Sequence, residues 1–216
     1  EIGNIKITHN STNGYMASPI GGIIGAGETV NINNINIYDI NLEGSDVNTI
    51  HMGGLVAVGN TYVNISNSNI SKITLKNNSA DSGVVPITSG VMAIARNGGE
   101  FENLNVSDIQ IVSKGHGTGL SGSGDIEVNK NGGTIEINKV KININSTQGA
   151  AQGVMPLASM AVGTTEGTIK NVKVKNGTII VNSNLNGVIG GILGCGNTAN
   201  AAHVSENIDE IDETKY

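Results

Sequence analysis

The stretch "GGIIGAGETVNINNINIYDINL", residues 21–42, sets paired glycines ahead of aliphatics that fall at Val30 and Ile32, Ile35 and Ile37, then Ile40 and Leu42. Within each pair the spacing is two, the side-chain period of a strand, and one extra residue enters between pairs. The apolar face stays on one side only if the backbone bends at the extra residue. The stretch therefore reads as three short strands separated by two corners. Each strand sends two aliphatics inward, which is what one coil of a β-solenoid needs to fill a narrow interior.

The same grammar recurs along the chain. The six-residue pattern apolar, any, polar, apolar, any, apolar appears as "IGNIKI" at Ile2, "IYDINL" at Ile37, "ISKITL" at Ile70, "VSDIQI" at Val106 and "INKVKI" at Ile137. A degraded copy, "VKNGTI", follows at Val174, where Gly177 takes the middle apolar place. Successive copies lie 31 to 37 residues apart, so the coils differ in loop length. A glycine-aliphatic element precedes most of them: "GGIIGAG" at Gly21, "GGLVAVG" at Gly53, "SGVMAIA" at Ser89 and "GGILGCG" at Gly190, with weaker versions at Pro156 and Gly119. The expected fold is all-β, a β-solenoid resembling a parallel β-helix, with five to six irregular modules over residues 1–196 and an acidic tail or cap over 197–216. The chain opens mid-module, as a piece of a longer repeat protein would.

Composition agrees with many short strands. There is no Trp and one Phe among 216 residues, so the core must come from Ile, Val, Leu, Met and Ala, and 31 glycines with abundant Asn, Ser and Thr supply turns. A net charge of -6 argues against nucleic acid, which needs a clustered basic surface. No apolar run reaches the roughly 18 residues that span a bilayer as a helix. The lone Cys195 excludes an intramolecular disulfide and reads as a buried thiol.

The corners carry candidate structural sites. Three residues before each hexapeptide stand Asn34, Asn67, Asn103, Thr134 and Asn171. Asn accepts left-handed backbone angles and its amide can bond from coil to coil, so Asn34, Asn67, Asn103 and Asn171 are expected to form a ladder. The third hexapeptide position runs Asn4, Asp39, Lys72, Asp108, Lys139, Asn176, and in-register stacking would set opposite charges side by side in its middle.

The segments "GGIIG", "GGLVA" and "GGILG", with "GTIKNVKVKNGTI" at Gly167, resemble the GLUG repeats of bacterial surface proteins. These include filamentous-haemagglutinin-like adhesins, autotransporter passengers and the non-catalytic part of some immunoglobulin A proteases. The likeness covers most of residues 19 to 196; the modules at Gly119 and Pro156 lack the glycine pair. It implies an exported, cell-surface solenoid segment and brings no catalytic residues.

Recognisable chemistry is sparse. His9, His51, His116 and His203 are isolated, and none is followed by glutamate as a zincin helix requires. Asp39 and Asp108, two coils apart with Lys72 between, could face one substrate as glycan-cleaving β-helices arrange their carboxylates, but the repeat itself fixes these positions. "GSGDIEVNKNGG", residues 122–133, departs from the repeat; it reads as an inserted hairpin, with Asp125, Glu127, Lys130 and Asn131 as a contact loop. The six carboxylates of the tail, from Glu206 to the chain end, read as a solvated terminus. The expected role is a structural or adhesive segment of an extracellular bacterial surface protein, without catalysis or cofactor. Its expected partners are a host or neighbouring-cell surface protein or glycan, or further copies of itself. A self-assembling fibre subunit and a carbohydrate-active β-helix enzyme are the alternatives.

Overall fold

The computed structural model describes residues 1–11, 18–46, 49–79, 85–146, 157–165, 167–183 and 188–196. The tail and its carboxylates, Tyr15, His203 and Tyr216 lie outside them, as does the side chain of Cys195. The chain is all-β and winds as a solenoid of about five turns. In chain order the strands are β1 (Ile2–Ser11), β2 (Ser18–Gly21), β3 (Ile24–Asn33), β4 (Asn36–Asp46), β5 (Ile50–Gly53) and β6 (Val56–Asn77). Then follow β7 (Ile87–Ser89), β8 (Met92–Ala95), β9 (Gly99–Ser113), β10 (His116–Thr118), β11 (Ser121–Ser123), β12 (Ile126–Val128) and β13 (Ile135–Ser146). The last are β14 (Leu157–Ser159), β15 (Val162–Thr165), β16 (Val172–Lys175), β17 (Thr178–Ser183), β18 (Val188–Gly190) and β19 (Leu193–Gly196).

All pairings are parallel, and the hexapeptides stack in register. Ile2 pairs with Ile37, Ile37 with Ile70, Ile70 with Val106, Val106 with Ile137 and Ile137 with Val174. A one-residue slip would turn each aliphatic outward, so alternation on every coil fixes this register. The short strands β2, β5, β7, β10, β14 and β18 make a second sheet, into which Gly21, Gly53, Ser89, Thr118, Ser159 and Gly190 stack as one column.

Inside, the columns of Ile, Val and Leu interlock across the sheets. Ile37, Ile70 and Ile137 are fully buried, as are Ile73, Ile109 and the single Phe101. Burying each such side chain contributes roughly 1.5–3 kcal/mol before ordering costs. Buried hydroxyls and one amide thread the second sheet: Asn77 Nδ2 donates to Thr88 Oγ1 at 3.0 Å, Thr88 to Ser113 Oγ at 3.1 Å, and Thr118 to Ser89 Oγ at 2.9 Å. These pairings satisfy polar groups that would be expensive to bury alone.

The 122–133 stretch departs from the hairpin expected there. Its two strands are ordinary parallel coil members: β11 pairs with β8 and β15, and β12 with β9. What is inserted is a turn. Leu104 follows Phe101 by three residues, whereas Ile135 follows its counterpart Val128 by seven. Gly132 and Gly133, at φ 119° and 94°, close the turn, and Gly132 N–H donates to Asn129 O at 3.1 Å. A hairpin would have left the neighbouring coils' edge groups unpaired, whereas parallel strands satisfy both sides.

Candidate functional site

The corners show why the sequence bends where it does. Asn34, Asn67, Asn103 and Asn171 all adopt left-handed angles, with φ between 48° and 56°. So does the whole third-position series, Asn4, Asp39, Lys72, Asp108, Lys139 and Asn176, with φ between 52° and 58°. A left-handed residue supplies the extra unit between two strand pairs and reverses the pleat, so both neighbours keep pointing inward. In the fifth coil Thr134 does not take this conformation; Asn129 does, at φ 51°, because the inserted turn begins there.

The amides bond along the axis, though not as one continuous series. Asn103 Nδ2 donates to Asn67 Oδ1 at 2.8 Å, but Asn67 Nδ2 donates to Asn33 Oδ1 at 3.0 Å, bypassing Asn34. Asn171 Nδ2 reaches the Gly133 carbonyl at 3.3 Å. The gap is filled by Asn129, which is fully buried: its Nδ2 donates to the Lys170 and Asn171 carbonyls and its Oδ1 accepts from the Asn103 N–H. Two further amide pairs stack in columns absent from the sequence reading, Asn105 to Asn69 and Asn182 to Asn145, at 2.9 and 3.0 Å, and Asn176 Nδ2 of the third-position series donates diagonally to Asn138 Oδ1 at 3.0 Å. The signal of the two columns lay in the hexapeptide register, which aligns Asn69 with Asn105 and Asn145 with Asn182.

The proposed contact loop lies beside an acidic flank. β9 places Glu100 and Glu102 on one outer face, and β12 sets Glu127 next to Glu100. Asn131 Nδ2 donates to Glu100 Oε1 at 2.7 Å and Asn131 N–H to Glu102 Oε1 at 3.0 Å. Glu127 accepts from the Thr168 N–H at 3.0 Å and meets Lys130 Nζ at 3.5 Å. Asp125 is exposed; its carbonyl accepts from the Gly99 N–H at 2.9 Å. Tyr62, 38% exposed, donates its hydroxyl to Glu100 Oε2 at 3.4 Å. Partial burial, then the hydrogen bond and charge of Glu102, hold the Glu100 carboxyl above its usual range. Burial and the Glu100 charge likewise raise the Tyr62 phenol. Glu100 and Glu102 tie the fifth coil's turn to the fourth coil through Asn131, and Glu127 reaches the next coil through the Thr168 N–H.

Asp39, Lys72 and Asp108 share one outer corner column on successive coils, with Lys139 next in line. Lys139 Nζ lies 3.8 Å from Asp108 Oδ1, an exposed pair worth at most about 1 kcal/mol. His9 Nε2 faces the buried Asp46 Oδ2 at 3.5 Å. His116 accepts the Leu157 N–H at 3.2 Å through Nδ1. Among the described residues no three His, Cys, Asp or Glu side chains converge as a metal site, and no helix is long and apolar enough to cross a membrane. No family model, curated protein or solved structure matches the chain.

Proposed function

We propose that the chain is a structural or adhesive segment of an extracellular bacterial surface protein of the GLUG-repeat kind, serving as stalk or contact surface. The observation that supports this reading is the six-deep, in-register stacking of the hexapeptides. Each added coil lengthens such a scaffold by about 4.8 Å while reusing the same interior. Its outer columns of amides, hydroxyls and scattered charges are sides that a host protein or glycan can meet. The test is binding of the isolated chain to immobilised host extracellular proteins and to a glycan array. Saturable binding assigns the contact role; no binding leaves the stalk and removes adhesion.

A second reading, a carbohydrate-active enzyme, draws on the corner column that Asp39 and Asp108 share. Asp39 and Asp108 stand two coils apart, about 10 Å by strand spacing, slightly beyond the roughly 6.5–9.5 Å of inverting glycosidases. Lys72 in the intervening corner and Lys139 beside Asp108 fit a charge ladder better. Cleavage of acidic or neutral polysaccharides, lost in Asp39→Asn or Asp108→Asn, would replace the first reading with this one.

A further inference from the structure

Outward charges change character along the solenoid. In the third hexapeptide the cations face acids: Lys76 Nζ meets Glu43 Oε1 at 2.6 Å, and Lys72 stands in the corner column between Asp39 and Asp108. Over the fifth and sixth hexapeptides the outer face turns basic. Lys139 takes the corner, Lys141 follows it on β13, and Lys173 and Lys175 alternate on β16 with the buried Val172 and Val174. Against these four cations β13, β16 and β17 set one acid, Glu136, the register partner of Lys173. Lys139 leans towards Asp108 at 3.8 Å, whereas Lys141, Lys173 and Lys175 form no ion pair among the described residues.

Lys173 and Lys175 lie about 6.6 Å apart along their strand, and β13 runs about 4.8 Å away, so the four ammonium groups share one outer corner. Packing does not call for them there. The same two outer columns hold Ser71 and Ser107, and Asn41, Thr74 and Gln110, on the other coils. Like charges gathered on neighbouring strands repel, so the fold alone gains nothing from this concentration.

We propose that this lysine corner binds an acidic polysaccharide, a glycan carrying carboxylate or sulfate groups; the inference rests on the adhesive reading above and names its partner. Charge complementarity selects an anion, and the groups between the lysines select a sugar. Asn138 stands beside Lys175, Thr178 beside Lys141, and Asn176 shares the corner with Lys139. Amides and hydroxyls offer both donors and acceptors, which match the hydroxyls of a glycan. Single-stranded nucleic acid is held by aromatic stacking, and phosphates by arginine forks, and these strands carry neither residue type. An anionic bilayer would engage the cations but brings no regular run of hydroxyls to the amides.

The test is binding of the full chain to heparin and to polygalacturonate. Dextran serves as the uncharged sugar, and polyglutamate, duplex DNA and phosphatidylserine vesicles as anions of other kinds. Binding to both acidic glycans is expected, and it should weaken about tenfold in Lys173→Gln/Lys175→Gln, as the loss of two exposed ion pairs implies. Lys6→Gln/Lys114→Gln removes the same charge from exposed positions elsewhere and should bind as the parent does. Thermal unfolding of both variants checks that they fold. Equal losses in the two variants would reduce the attraction to net charge, and polyglutamate, DNA or vesicles bound as tightly as the glycans would remove the sugar; either result overturns the proposal. A chain that binds host proteins or neutral glycans but neither acidic glycan keeps the adhesive reading and loses this one, whereas a chain that binds nothing loses both.

Discussion

At the residue scale the solenoid depends on side chains that accept unusual backbone or burial. The left-handed corners are filled by Asn, Asp and Lys rather than Gly. Asn and Asp were legible there because their short polar groups satisfy local backbone; Lys72 and Lys139 were legible only through their place in the repeat. His51 was not legible at all, since nothing in its neighbourhood of sequence marks it as interior. The residue is 6% exposed, and Nδ1 has no hydrogen-bond partner among the described residues. Burial first, and the positive charge of Arg96 second, lower its pKa from 6.5 to about 4. The unfolded chain therefore takes up this proton more readily than the folded one. Stability from neutral His51 is full above pH 6.5 and is lost as pH falls from 6.5 towards 4. The slope approaches 1.4 kcal/mol per pH unit, so the loss reaches about 2–3 kcal/mol. Urea unfolding at pH 7 and pH 4.5 should show the parent losing about 2 kcal/mol more than His51→Gln. Equal losses would mean that the folded protein hydrates this ring.

At the scale of elements, the glycine-aliphatic motif is a device for bringing coils together. A Cβ on Gly22 would run into the Gly54 carbonyl oxygen, one on Gly54 into that of Gly90, and one on Gly90 into that of Gly119. This column lets backbones meet at the corner between the two sheets, and it explains why paired glycines recur just ahead of the aliphatics. By contrast, a Cβ on Gly25 would meet only the Pro19 carbonyl, at 3.3 Å. Gly54→Ala should therefore destabilise by about 3 kcal/mol or more, while Gly25→Ala changes stability by less than about 1 kcal/mol. Urea midpoints for the two variants check this, and similar midpoints would remove the glycine column as a packing constraint. The strands and corners could be read in advance because period two and its interruptions leave a direct trace in sequence. The turn after Val128 could not: its "NKNGG" has the signature of a hairpin, and only the parallel partners on both sides decide that the flanking strands stay in the coil.

For the whole molecule, stacking makes the cost of a core change depend on its coil. The column Ile7, Leu42, Leu75, Ile111, Ile142, Ile179 repeats one side-chain environment along the axis. Only its two ends differ: Ile7 and Ile179 are partly buried, while the inner four are at most 1% exposed. Each coil rests on its neighbours alone, so stability is close to a sum of coil and interface terms. Ile111→Ala leaves a cavity with coils packed on both sides and should cost about 3 kcal/mol. Ile7→Ala removes the same atoms from a site with one neighbour and should cost about 1 kcal/mol. The distribution of the loss is the sharper reading. Hydrogen exchange should show Ile7→Ala accelerating amides of β1 while β6, β9 and β13 keep their rates, because β1 pairs with β4 and with no other described strand. Ile111→Ala should accelerate β6, β9 and β13 together, since the cavity lies between coils that cannot part without opening both faces. If the two variants lost equal stability with the same exchange pattern, the coils would unfold as one unit and the additive picture would fail.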